Sequence, residues 1–189
     1  EKIYGYIMAN EWEYWATQTF SSKAIDRFNL DEIVRRYNQR LWDLRRRKYP
    51  NLKWLIVPEQ HKDGAWHLHA FMIGIPADKV VYSGYDYFNK KKIFSRKIYN
   101  WVDMIDYGFN DYLYIGECNP LERFKMANYV MKYITKELVQ KRFNKKMYWS
   151  SRGLKKPTIT NTLTFKKDIS FAGVIVSQNR YYVKDQETG

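Results

Sequence analysis

Lys53-Trp54-Leu55-Ile56-Val57-Pro58-Glu59-Gln60-His61-Lys62-Asp63-Gly64-Ala65-Trp66-His67-Leu68-His69-Ala70-Phe71-Met72-Ile73-Gly74-Ile75 is the stretch that decides the fold. β-forming residues crowd Lys53 to Gln60 and again Trp66 to Ile75, and Lys62-Asp63-Gly64 between them has turn chemistry, so the stretch reads as an antiparallel hairpin. In a strand, residues two apart share a face, which aims the imidazoles of His67 and His69 alike at about 7 Å from one another. A metal ion held there needs a further ligand, and strand register selects it. A three-residue loop pairs Gln60 with Trp66 and sets Glu59 opposite His67. A two-residue loop through Asp63-Gly64 sets Glu59 opposite Leu68, on the wrong face, and His61 is then a possible substitute. Glu59, His67 and His69 are therefore the candidate metal ligands, a donor set that suits zinc catalysis as well as manganese or magnesium. All three histidines of the chain lie between His61 and His69.

Outward from the hairpin, Tyr14 to Phe20 reads as a strand, followed by a helix over Leu30 to Tyr49. That helix carries Ile33, Val34, Tyr37, Leu41, Trp42 and Leu44 at helical spacing, Asn29 or Asp31 as cap, and Pro50 after its end. Its polar face holds Arg35, Arg36, Arg40, Arg45, Arg46 and Arg47, either a phosphate track or a solvated face. From Pro76 to Gly108 the chain is aromatic and basic, and we expect an insertion or DNA-facing loop there, with a short helix through Ile98 to Ile105. Asp111 to Glu117 reads as a further strand and Pro120 to Lys141 as the clearest helix of the second half. Tyr148 to Gly153 is turn-like, Thr158 to Phe165 is β-rich, Phe171 to Val176 with Arg180 to Val183 suggests a closing hairpin, and Asp185 to Gly189 a tail. The order implies an α+β fold: a central antiparallel sheet covered on one face by helices, in a single domain over residues 1 to 189.

Lys and Arg number 33 against 20 Asp and Glu, a net charge of +13, which points to a polyanion as partner. Aromatic residues make up 18% of the chain, the composition of single-strand grooves as well as of a core. No apolar run approaches the ~18 residues of a membrane span, so a soluble, cytoplasmic protein with no membrane partner is expected. The single cysteine, Cys118, is expected to serve packing.

In Asn128-Tyr129-Val130-Met131-Lys132-Tyr133-Ile134-Thr135-Lys136, two tyrosines stand four apart and each is followed three residues later by a lysine. On a helix Tyr129, Lys132, Tyr133 and Lys136 share an arc of about 100°, while Ala127, Val130, Ile134 and Leu138 fall on another side and would bury against the sheet. A phenol is a weak nucleophile at neutral pH, and ammonium groups beside it favour the phenolate. An amphipathic helix with half-buried tyrosines satisfies the same pattern.

Taken in order, Trp15 to Phe20, Glu59 with His67-Leu68-His69, and the Tyr129/Lys132/Tyr133/Lys136 helix resemble the three motifs of the HUH endonucleases. Within them, the two-tyrosine rolling-circle replication initiators of phage and plasmid type are the nearest in pattern. The similarity runs over about residues 14 to 140, and Ser151 to Pro157 resembles the chain after the tyrosine helix in phage-type initiators. The resemblance implies a ferredoxin-like or RRM-like core and Mg²⁺ or Mn²⁺ on Glu59, His67 and His69. It also implies nicking and rejoining of single-stranded or stem-loop origin DNA through a 5′-phosphotyrosine on Tyr129 or Tyr133, within a bacterial host. Lys132 and Lys136 would stabilise developing charge. No G-x-x-x-x-G-K-[ST] loop occurs, so unwinding would fall to a separate helicase or further domain. A transposase or relaxase of the same superfamily and a non-catalytic RRM-like nucleic-acid-binding module are the rival readings.

Overall fold

The computed structural model describes residues 2–88, 95–133, 146–157, 175–177 and 180–182. The chain packs as two units, Glu1–Pro157 and Thr158–Gly189. The first holds helix α1 (Lys2–Ala9), strand β1 (Tyr14–Thr19), helix α2 (Leu30–Arg47), strands β2 (Lys53–Gln60), β3 (Trp66–Ile73), β4 (Val80–Phe88), β5 (Ser95–Trp101) and β6 (Asn110–Tyr114), helix α3 (Pro120–Tyr133) and the short β7 (Trp149–Ser150). Its strands form one seven-stranded sheet in the order β4-β5-β6-β1-β3-β2-β7. Every neighbouring pair is antiparallel. In the second unit, β8 (Ile175–Ser177) and β9 (Arg180–Tyr182) pair as an antiparallel hairpin, within the closing hairpin read from sequence. The β-rich reading of Thr158 to Phe165 and the tail from Asp185 lie outside the described residues.

The decisive hairpin adopts the three-residue loop. His61 N–H donates to the Ala65 carbonyl at 2.8 Å, Gly64 N–H donates to the His61 carbonyl at 2.9 Å, and the Asp63 carboxylate accepts from Ala65 N–H at 3.1 Å. Gly64 sits at φ 87°, a conformation that costs a β-carbon-bearing residue energy and glycine almost none. The register that follows sets Gln60 opposite Trp66 and Glu59 opposite His67.

Helices cover both sheet faces rather than the single face expected. On one side α2 packs Ile33, Val34, Tyr37, Leu41 and Leu44 against Ala16, Trp54, Ile56, Leu68, Ala70, Met72 and Tyr112. On the other, Ile3 and Ile7 of α1 and Ala127 and Val130 of α3 pack against Leu55, Val57 and Phe71. The reason is legible in β2 and β3, which are apolar at successive positions rather than alternate ones, the pattern of strands buried on both faces. Each fully buried Leu, Ile or Phe contributes about 1.5–3 kcal/mol of hydrophobic stabilisation, so neither layer is dispensable. Helix α1 escaped the sequence reading because it is short and carries Gly5 at its centre. That glycine has a packing reason: a β-carbon there would stand 2.5 Å from Pro157 Cγ. Asn10 stitches the same strap down, its amide donating to the Lys155 carbonyl at 3.0 Å and its carbonyl accepting from Lys155 N–H at 2.8 Å.

Helix α2 starts at Asn29, whose side chain accepts from Glu32 N–H at 3.1 Å, which decides between the two caps proposed. Most of its arginines are tied to the protein itself. Arg36 donates to the Ala24 carbonyl at 2.9 Å, Arg40 to the Asp103 carbonyl at 3.1 Å and Arg45 to the Arg152 carbonyl at 2.9 Å, while Arg46 pairs with Asp43.

The segment from Pro76 to Gly108 is not irregular. It is the β4–β5 hairpin, which extends the sheet to its edge, followed by a 3₁₀ segment over Val102–Tyr107 in place of the expected helix. A register shift between Tyr82 and Asp86, around Gly84 at φ 88°, breaks the alternation by which a strand is recognised.

Asp103 anchors the 3₁₀ segment to α2 and the turn after it. Its carboxylate accepts from Tyr49 Oη at 2.6 Å and from Lys48 Nζ at 3.1 Å. Burial opposes ionisation of Asp103, but the Tyr49 and Lys48 hydrogen bonds outweigh it and hold the carboxyl below its usual value. Burial and the Asp103 bond push the Tyr49 phenol up to about 12. Because the folded-state pKa of Asp103 is depressed, its contribution is present above the unfolded value, near 3.9, and is lost as pH falls through the folded one. Asp103→Asn is therefore expected to cost about 1 kcal/mol at neutral pH, with the deficit shrinking in strong acid. Urea melts of both proteins across that range measure it, and a pH-independent difference would refute the assignment.

Candidate active site

The site is built on three adjacent strands. Across β1, β3 and β2 the register forms two rows, Thr19-His67-Glu59 and Thr17-His69-Val57. Strand alternation puts all six side chains on the sheet face that carries α1 and α3.

Both imidazoles turn Nδ1 toward β1. Thr17 Oγ1 lies 3.2 Å from His69 Nδ1, and Thr19 Oγ1 lies 3.3 Å from His67 Nδ1. When the threonine oxygens accept from Nδ1–H, the lone pair falls on Nε2, the tautomer a metal ligand requires. His69 Nε2 meets Glu59 Oε2 at 2.7 Å, and His61 Nε2 lies 3.9 Å from the same oxygen. His61 also stacks on His67, with ring centroids 3.7 Å apart and planes 20° from parallel. The Glu59 carboxylate thus stands among all three histidines. Burial alone would raise its pKa, yet the His69 hydrogen bond and the neighbouring imidazolium charges hold it below the usual value. Burial, then the charges of His61 and His69, lower the His67 pKa against the pull of Glu59, which favours the neutral, ligating ring.

Among the described residues, no three His, Cys, Asp or Glu are drawn together closely enough to form a preassembled metal cage. What the strands provide is a donor set, two imidazoles and a carboxylate on one face, in which a proton between Glu59 and His69 links groups that would share a cation. That chemistry fits a divalent ion.

Trp15 connects this centre to the tyrosine helix. Its indole stacks on His69 at 5.4 Å, meets Phe71 edge-on at 4.7 Å and lies 6.1 Å from the Tyr129 ring. Ala127 and Val130 hold α3 down on the sheet, both fully buried, while Tyr129 is 48% exposed. The expected split into a buried and a Tyr/Lys side is present over the described part of the helix. Lys132 Nζ stands 6.0 Å from the centre of the Tyr129 ring. Tyr133 is the last described residue of α3, with only its backbone described; Ile134, Lys136 and Leu138 lie outside the described residues. Sequence reasoning gave Thr17, Thr19 and Asp111 no role. Alternation in β1 was the available signal for the threonines. Asp111 pairs with Thr17 across β6 and shares this face, and burial raises its carboxyl pKa.

Residues 13–138 match the replication-associated protein family of the ORF2 and gene 2 protein type, an interval that opens just before β1 and extends past the tyrosine helix. The chain belongs to that family. No curated protein and no solved structure matches it. A replication-associated protein of this family is of the rolling-circle initiator type, and with this membership come a role in DNA replication and binding to origin DNA. No described helix is long and apolar enough to cross a membrane.

Removing the threonine that orients His69 gives a direct test of the donor set. Thr17→Val keeps the side-chain shape and deletes the Nδ1 partner, so Mn²⁺ affinity by titration calorimetry should fall roughly 10- to 100-fold with little change in thermal stability. Unchanged Mn²⁺ binding would exclude His69 as an oriented ligand.

Proposed function

We propose that this replication-associated protein is a metal-dependent endonuclease and strand transferase that nicks and rejoins single-stranded origin DNA through Tyr129 and Tyr133. The observation that carries the reading is the convergence on one sheet face of Glu59, His67 and His69 with Tyr129, linked to His69 through Trp15.

The tyrosine oxygen attacks the scissile phosphorus, the bond from phosphorus to the 3′-oxygen breaks, and that oxygen leaves as a 3′-hydroxyl after taking up a proton. The 5′-phosphate remains esterified to the tyrosine. Since one phosphodiester replaces another, the reverse attack by a 3′-hydroxyl rejoins the strand with no external energy source. Two tyrosines one helical turn apart allow a second cut while the first remains esterified. Lys132 and, by its helical spacing, Lys136 attract the negative charge that develops at the phenolic and phosphoryl oxygens. Glu59, His67 and His69 would hold Mg²⁺ or Mn²⁺, whose chemistry here is to neutralise and polarise the scissile phosphate. The Thr17 and Thr19 hydroxyls keep both rings turned for that task. Strand separation falls to a separate helicase, since the sequence has no phosphate-binding P-loop motif.

Incubation with a stem-loop origin oligonucleotide and Mn²⁺ should yield a covalent protein-DNA adduct, resolved by denaturing electrophoresis. Combining Tyr129→Phe with Tyr133→Phe should abolish it, and a full adduct from that double variant would remove both tyrosines from the mechanism. Changing His67 and His69 to Ala should lower cleavage at least a hundredfold, on the scale of losing a transition-state electrostatic contact, while affecting binding less. Metal-independent cleavage by that variant would refute the metal centre.

A further inference from the structure

The β4–β5 hairpin exposes aromatic and apolar side chains that neither the core nor the nicking chemistry uses. Tyr85 is 66% exposed, Tyr87 50% and Val81 52%. Register tells which way they point. Tyr87 stands opposite Arg96, whose guanidinium reaches Cys118 Sγ at 2.9 Å and Glu122 at 3.3 Å, at and just before the start of α3. Tyr87 therefore lies on the face that α3 covers, and Tyr85, two residues earlier, shares it by alternation. Val81 pairs with Asn100, two residues from Ile98; Ile98 pairs with Leu113, and Leu113 with Trp15. All three exposed side chains thus belong to the face that holds Thr17, His69 and Glu59. Tyr82 points the other way and is tied down, its hydroxyl donating to Asp86 at 3.1 Å and its ring lying 5.5 Å from Lys97 Nζ.

We propose that Val81, Tyr85 and Tyr87 form a stacking platform for the bases of single-stranded DNA adjoining the scissile phosphate, an inference that rests on the nicking reading above. Strand β4 is three positions from β1 in the sheet, so the platform lies about 14 Å from the Thr17 row, a few nucleotides along a strand laid across the sheet. A stacked ring accepts any base because every base has a π-face, which suits DNA flanking a cut rather than a recognised sequence. The net charge of +13 draws a polyanion to this surface and disfavours the many protein partners that are themselves basic. The rival occupant is a protein strand added along β4, which is a sheet edge.

Fluorescence anisotropy with a short and a long oligothymidylate tests the platform on the full chain. The wild type should gain affinity on lengthening, and combining Tyr85→Ala with Tyr87→Ala should weaken the long oligonucleotide roughly 10- to 100-fold and erase most of that gain. The corresponding pair of Tyr→Phe changes should retain it, because stacking needs the ring and not the hydroxyl. Equal binding by the alanine pair would overturn the platform and leave the nicking reading standing, whereas a wild type that binds neither oligonucleotide would overturn both. Self-association of the wild type that is lost in the alanine pair, with DNA affinity intact, would reassign the surface to a protein contact. Should the alanine pair fail to fold, photo-crosslinking of an iodouracil-substituted oligonucleotide to the wild type decides: attachment at Tyr85 or Tyr87 supports the platform, and attachment only elsewhere refutes it.

Discussion

The hydrogen bond from His61 N–H to the Ala65 carbonyl sets the register on which the rest of this molecule depends. With that bond in place, and Gly64 in its left-handed conformation, Glu59 faces His67 across the hairpin. A slip of one residue would turn Glu59 to the α2 side and bury a carboxylate among Trp54, Ile56 and Leu68, an uncompensated charge that the core could not tolerate. Fold and donor set are thus enforced by the same constraint. The apolar residues of β2 and β3 on both faces reinforce it, since no slipped register would satisfy two cores at once.

The two cores differ in what they leave uncovered. α2 is amphipathic along its full length and closes its face with Tyr37, Leu41 and Leu44. The other face has only the eight residues of α1 and the described part of α3, which together cover the end of the sheet near Leu55, Val57 and Phe71. Beyond them the rows of Thr17, Thr19, His67 and Glu59 remain at the margin of the apolar layer, half-shielded from water. That position explains how the groups titrate: burial is enough to keep His67 neutral, yet Glu59 still ionises because three imidazoles surround it.

Much of this was readable beforehand, and the exceptions have physical causes. The β2–β3 register followed from turn chemistry, and Glu59 followed from the register, because period-two geometry is rigid. The cap at Asn29 and the buried pair Ala127 and Val130 were equally legible from helical spacing. The β4–β5 hairpin was not, since a bulge around Gly84 interrupts the alternation by which strands are recognised. Helix α1 was missed because its stability comes from packing on α3 and on the Lys155 to Pro157 strap, contacts distant in sequence. The threonines of β1 were passed over because a hydroxyl beside an imidazole is visible only once two strands are aligned.

The arginines of α2 illustrate how charge in a sequence can mislead about where a ligand sits. In the sequence they form the densest basic run and invite a phosphate track. In the fold α2 covers the sheet face opposite Glu59, His67 and His69, and Arg36, Arg40 and Arg45 donate to backbone carbonyls that hold loops in place. Their charge is not cancelled by those bonds, so they still contribute to the positive field that attracts DNA from a distance, an effect that fades over about a Debye length in salt. Contact with a strand lying across the nicking centre must come from the other face, from Lys132 and the aromatic rings around it. The protein thus divides the work between a basic layer that draws the polyanion in and a less charged, ring-lined surface on which the chemistry is arranged.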